Sequence, residues 1–123
     1  MKVLLDTHIV LWALADDPRL KPRHRALFND DQQDLFVSAV TIWEIAIKRA
    51  LGKLIAPDGL QEILLAAGCH PLPISWRHAE AAGALPLIHA DPFDRLLIAQ
   101  SSVEQLAFAT MDAQMSEYDV EVL

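Results

Sequence analysis

Four acidic residues occupy places that surface solubility explains poorly. Asp6 ends the apolar run K-V-L-L-D, and Glu44 lies among Ile42, Trp43, Ile45, Ala46 and Ile47. Asp94 stands at the mouth of a helical pattern that begins D-P-F-D, and Asp112 arrives two residues past L-A-F-A-T. Each has an ordinary explanation. Asp6 can cap a first helix, with Thr7 competing for that role, and Asp112 can cap the turn D-A-Q-M. Glu44 can bridge to Lys48 four residues on, or close a capping box with Thr41 three residues earlier. Asp94 can favour the positive end of a helix whose N-cap is Asp91 and whose first residue is Pro92.

What the four share is where they fall, at the end of an apolar strand or just inside the helix that follows one. Crowded carboxylates repel, and a hard, oxygen-seeking cation relieves them; magnesium or manganese suits such a donor set, whereas zinc would want His or Cys. A pair of cations about 3.5 to 4 Å apart is a general arrangement for phosphodiester hydrolysis. No Ser-His-Asp grouping, P-loop or G-x-G-x-x-G competes for the chemistry. His70, His78 and His89 lack ligand-like spacing and read as exposed or hydrogen-bonded structural histidines.

The elements that must position the acids alternate between strand and helix. Residues 2–6 read as a strand, and His8 to Ala15 as a helix beginning at Thr7 or His8. A short basic helix follows over 22–30, then a strand over Leu35 to Ser38 and a helix from Ala39 closed by Gly52. A helix between Gly59 and Gly68 leads to C-H-P-L-P-I, whose prolines suit an edge strand. The spacing then predicts helices over Trp76–Ala84 and Pro92–Glu104, a strand L-A-F-A-T, and a last edge strand V-E-V-L. Such alternation implies βαβ crossovers and a mainly parallel sheet, whose strand carboxyl ends all face one way. There the four acids can meet.

The 123 residues fit a single domain, 1–123, with no linker or repeat to divide it. Hydrophobic residues make up 53% of the chain and mean hydropathy is +0.23, so some apolar surface is expected to be buried against a partner. The helix His8 to Ala15, apolar on nearly every face, is the place for it and suggests self-association. No apolar run approaches the roughly 18 residues of a membrane span. The opening M-K-V-L-L-D has no signal-peptide layout and Cys69 stands alone, so a cytoplasmic protein is expected. The formal charge of −7 opposes nucleic-acid binding unless the acids are neutralised by cations. The bases that remain gather partly at Lys48, Arg49 and Lys53, with Arg95 added by folding. They read first as a solvated helix face, and after that as RNA contacts at Lys48 and Arg95.

The segments V-L-L-D-T-H, V-S-A-V-T-I-W-E-I-A-I-K followed by G-K-L, L-P-L-I-H-A-D-P-F-D-R-L-L-I-A-Q, and A-T-M-D with Tyr118 six residues on span almost the whole chain in order. In these the chain resembles the PIN-domain ribonucleases, specifically the VapC-type toxins of toxin–antitoxin modules. The resemblance implies a three-layer α/β/α sandwich and a magnesium- or manganese-dependent endoribonuclease, commonly a homodimer held inactive by a small antitoxin. Its acidic quartet falls on Asp6, Glu44, Asp94 and Asp112, with Thr7, Ser38 and Thr110 as polar neighbours. Asp91 matches an acid of this subgroup, as a supporting residue or simply a cap. Met115 stands where similar chains often carry Phe, a departure that touches packing. Two alternatives come from other classes. One is a catalytically silent binding protein of the same fold; the other is a receiver-like phosphoacceptor domain, which would carry an acidic pair after the first strand where this chain has D-T-H.

Overall fold

In a computed structural model describing residues 1–123, four strands form one wholly parallel sheet. They are β1 (Lys2–Leu5), β2 (Asp34–Ser38), β3 (His70–Leu72) and β4 (Ala107–Ala109), in the spatial order β3-β2-β1-β4. Side chains alternate across a strand, so each strand feeds two cores. Val3 and Leu5 of β1, Leu35 and Val37 of β2, and Ala107 and Ala109 of β4 pack on one face. Leu4, Phe108 and the half-buried Phe36 pack on the other.

Helices cover both faces, giving the expected three-layer sandwich. The connections are α1 (Thr7–Leu14), α2 (Pro22–Leu27), α3 (Ala39–Ala50), α4 (Leu60–Ala66), α5 (Trp76–Ala84) and α6 (Pro92–Glu104), with a 3-10 turn at Ala113–Glu117 after β4. Ile9 and Val10 of α1 and Leu64 of α4 close the first core; Leu97 and Ile98 of α6 and Val40 of α3 close the second. No helix is long and apolar enough to cross a membrane.

The strand order carries the functional consequence. From β1 the chain steps one way to β2 and β3, whereas β4 lies on β1's other side, so the order reverses at β1. In open parallel sheets a crevice forms at the carboxyl ends of the strands at such a reversal. Asp6 and Thr110 flank it, and the Asp6 amide donates to the carbonyl of Ala109 at 2.9 Å. A receiver-like domain would need the order 2-1-3-4-5, so this sheet overturns that alternative.

The element limits largely follow the capping chemistry. Ser75 opens α5 in a capping box with His78, and Asp91 with Pro92 opens α6. α3 departs from one expectation. It starts directly after Ser38, whose hydroxyl accepts from the Val40 amide, so the expected Thr41–Glu44 capping box does not form. The predicted last strand shrinks to a single parallel bridge between Phe108 and Val122.

Candidate active site

Asp6 is the N-cap of α1 at the carboxyl end of β1, and it is buried. Its Oδ1 accepts from the Thr7 amide at 2.7 Å and its Oδ2 from the Thr110 hydroxyl at 2.7 Å. Burial pushes its pKa above the usual carboxylate range, opposed by those hydrogen bonds and aided by the nearby Glu44 charge. The cap reading is therefore correct. It does not account for Thr110, which reaches across 104 positions of sequence to hold the oxygen that the cap does not use.

Glu44 is buried on α3, and its two oxygens are held by two elements. The Thr7 hydroxyl donates to Oε1 at 2.7 Å, and Lys48 Nζ to Oε2 at 2.6 Å. The expected i to i+4 bridge is thus present, and Thr41 joins through Thr7 at 3.1 Å between hydroxyls. Glu44 raises the Lys48 pKa chiefly by accepting its hydrogen bond, with smaller contributions from Asp91 and Asp94. One ammonium thus faces three carboxylates.

At the start of α6 the two aspartates separate by role. Asp91 caps the helix, its Oδ1 accepting from the amides of Phe93 at 2.8 Å and Asp94 at 3.3 Å. The half-buried Asp94 carboxylate takes no hydrogen bond from the protein. Its pKa is pushed up to about 7, first by burial and then by the charges of Asp91, Asp6 and Glu44. Ionising it here is costly, and no protein cation is paired with it.

Asp112 belongs to the same crevice by a different route. It caps the 3-10 turn through the Gln114 amide at 3.0 Å, and its own amide donates to the Thr110 hydroxyl at 3.1 Å. Its Oδ2 meets His89 Nε2 at 2.9 Å, the contact that does most to hold its pKa below the ordinary value. Tyr118 fixes the imidazole. The His89 amide donates to the phenol oxygen at 2.9 Å, and the phenol lies 2.9 Å from Nδ1, so a phenol proton on Nδ1 leaves Nε2 to donate to Asp112. His89 is hydrogen-bonded, one of the two states the sequence leaves open for it, but its tie to Asp112 escaped sequence reasoning. The available signal was its position in the H-A-D-P-F-D stretch.

Other expected site residues disperse. Ser38 is buried at the end of β2, but its hydroxyl donates to Gln100 Oε1 at 2.5 Å and touches none of the four acids. Arg95, expected as an RNA contact, is engaged by the protein's own backbone. Its guanidinium donates to the carbonyls of Ala82, Leu85, Pro86 and His89, tying the end of α5 to α6. Long side chains and exposed carbonyls met there that no local pattern could pair. Lys48 alone of the two keeps its place beside the acids.

No three of the His, Cys, Asp and Glu side chains form a ready-made chelate. Asp6, Glu44 and Asp112 instead hold one another's surroundings through Thr7, Thr110 and His89, while Asp94 is coupled to Asp6 and Glu44 by charge alone. The donor set is all oxygen, and the pKa of its one carboxylate without a hydrogen bond is raised by burial first and by like charges second. Those properties fit a hard divalent cation, because each hydrogen-bonded carboxylate oxygen still has a free lone pair.

Comparison with known proteins gives the same architecture. The PIN domain profile matches residues 3–121. Among solved structures, that of VapBC2 from Rickettsia felis bound to a DNA fragment from its promoter aligns with a TM-score of 0.71 at 14% identity, covering 100% of this chain and 98% of that one. DNA-bound VapBC from Salmonella typhimurium aligns at 0.72 and 17%, covering 100% and 97%, and FitAcB from Neisseria gonorrhoeae at 0.65 and 20%, covering 98% and 96%. Comparison with curated proteins gives no match.

Proposed function

The chain belongs to the PIN-domain family, and from that premise we propose that it is a metal-dependent endoribonuclease, the toxin of a toxin–antitoxin pair, built as a single unit over residues 1–123. The observation that carries this reading is Asp94. A half-buried carboxylate with no hydrogen bond, raised to about 7 beside Asp91, Asp6 and Glu44, is a poor choice for a helix start that Asp91 already caps. It is a good choice for a cation site.

Asp6, Asp94 and Asp112 hold magnesium or manganese in this reading, and Glu44 positions the water or a second cation. A divalent cation held by these residues would supply charge stabilisation at the phosphodiester and lower the pKa of a water. The chain's own residues do the rest. Thr7 and Lys48 fix the two oxygens of Glu44, Thr110 orients Asp6 and receives the Asp112 amide, and His89 with Tyr118 orients Asp112. Lys48 also balances part of the negative charge that a phosphate would meet. Asp91 supports the site by capping α6.

The partners proposed are RNA as substrate, a small antitoxin, and a second copy of the chain, in the cytoplasm. A structure of the same fold is that of a toxin–antitoxin complex from Klebsiella pneumoniae, aligning with a TM-score of 0.66 at 18% identity and covering 98% of this chain and 95% of that one, which supports the second. On α1 only Thr7, Ile9 and Val10 are buried, leaving Ala13 and Leu14, which do not line the groove beside the acids, partly uncovered, which supports a protein partner on that helix. The test is incubation of protein freed of its partner with defined RNAs, with and without millimolar magnesium or manganese. Cleavage that requires the cation is expected; intact RNA under every condition overturns the reading.

A further inference from the structure

Beside the acids, a groove of about 880 Å³ runs between α1 and the end of α3, and Thr7 and Glu44 belong to both groove and acid cluster. Its α1 wall carries flat side chains in contact. His8 and Trp12, one helical turn apart, have ring centroids 5.7 Å apart with the planes tilted by 53°, and the Arg19 guanidinium lies 4.9 Å over the Trp12 ring. Asp17 grips that guanidinium at two points, Nη2 to Oδ2 at 2.8 Å and Nε to Oδ1 at 3.1 Å. Arg19 is thereby a neutralised, oriented plane, suited to stacking.

The facing wall supplies positive charge. Lys48 is tied to Glu44, whereas Lys53, exposed just past Gly52, has no side-chain partner. Gly52 turns the chain there with φ +69, a conformation that side-chain-bearing residues rarely adopt, and so brings Lys53 back over the groove. Ile55, also lining the groove, is 97% exposed and adds an apolar lip. In a chain of net charge −7, a free cation opposite aromatic and guanidinium planes, continuous with a carboxylate cluster, is a local reversal of the overall character.

Stacking planes along one wall and a backbone-reading cation along the other are the recurring means of holding single-stranded nucleic acid. We propose that this groove is the track for single-stranded RNA leading to the acids, with bases stacked against His8, Trp12 and Arg19 and a phosphate on Lys53. The assignment rests on the ribonuclease reading for its choice of nucleic acid. A duplex would present no free base faces to these planes, so single strands bind and duplexes bind weakly.

The test is binding without cleavage. A labelled single-stranded oligoribonucleotide is titrated with wild type, Trp12→Ala, Trp12→Phe and Lys53→Gln, in EDTA and again in calcium, a hard cation that neutralises carboxylates, across a range of salt, with anisotropy as the readout. Trp12→Ala should weaken binding roughly 5- to 150-fold, with Trp12→Phe retaining most of it. Lys53→Gln should lower the slope of log affinity against log salt by about 0.7, the loss of one phosphate contact on a single strand. Trp12 also packs on the first core, so the exposed Lys53→Gln keeps the test decisive if Trp12→Ala fails to fold. Variants that bind with wild-type affinity and salt slope overturn the proposal and leave the groove to a protein partner; so does a wild type with no affinity for single-stranded RNA. Binding lost as described, with no cleavage of any RNA when cation is restored, upholds the track and removes the nuclease reading.

Discussion

Two buried polar networks lie on this sheet, built from similar groups, and only one is strained. In the first, Ser38 donates to Gln100 Oε1, Gln100 Nε2 donates to the Pro73 carbonyl at 3.2 Å, and His78 accepts the Ser75 amide on Nδ1 while Nε2 meets Glu104 at 2.8 Å. Every bond there joins a donor to an acceptor, and the one acid, Glu104, is half-exposed. In the second, Asp6, Glu44 and Asp94 sit together around threonine hydroxyls, with Lys48 as the one ammonium. Buried polar groups are costly when unpaired and cheap when satisfied. The first network thus pins β2, α5 and α6 together, whereas the second leaves Asp94 with a charge that the protein alone does not compensate. Buried hydroxyls do not separate a site from a strut; unbalanced charge does.

The comparison breaks most sharply at Asp94. Asp94→Asn should reduce metal-dependent RNA cleavage by on the order of 10²- to 10³-fold, the scale for losing one preorganised electrostatic group. Gln100→Ala should have the opposite profile. It removes the only acceptor of the fully buried Ser38 hydroxyl proton and empties a fully buried side-chain position, and should cost about 2 to 4 kcal/mol in urea unfolding whether or not metal is present. Retention of full cleavage by the Asp94 variant, or a metal-dependent stability loss in the Gln100 variant, would merge the two networks into one kind.

A pH titration gives the smallest effect. In metal-free protein the folded Asp94 has a pKa near 7, against an ordinary 3.8 when unfolded. Between those values the native state holds the proton more tightly, so this group's contribution to stability falls as pH rises through the window and is fully lost above pH 7. Because Asp94 is only half-buried, solvent screening reduces the effect to about 1 to 2 kcal/mol. Thermal melts of wild type and Asp94→Asn should therefore converge near pH 4 and separate at pH 8 in favour of the variant. Added cation should reverse the order, since wild type gains about 2.7 kcal/mol at a hundredfold excess over the dissociation constant. A variant less stable than wild type at pH 8 without metal would return Asp94 to ordinary helix-end electrostatics.

How far the sequence reveals these networks depends on distance along the chain. α5 and α6 begin where expected because their caps, Ser75 and Asp91 with Pro92, are local. The alternation of strands and helices, which implies a parallel sheet, placed Asp6 and the loop carrying Asp112 at one sheet edge. Partners far apart in sequence left no such trace. Ser38 and Gln100 are 62 positions apart, His89 and Asp112 are 23, and nothing in their spacing announces a bond. Glu44 shows the intermediate case. Its bridge to Lys48 follows from helical geometry, but its bond to Thr7 requires knowing that α1 and α3 lie side by side, and the Thr41 cap lost to Ser38 because the helix begins earlier.

The reversal of strand order at β1 also sets a timetable. Asp6 is made 104 positions before Thr110, yet one carboxylate oxygen of the former is held by the hydroxyl of the latter. β1 can pair with β2 early, but its other edge stays open until β4 docks. Contacts between distant parts of a chain form slowly and require loop closure before they contribute. On a ribosome, therefore, the chain acquires Asp6, Glu44 and Asp94 well before it can assemble them, and the finished crevice appears only when the last strand of the sheet has emerged.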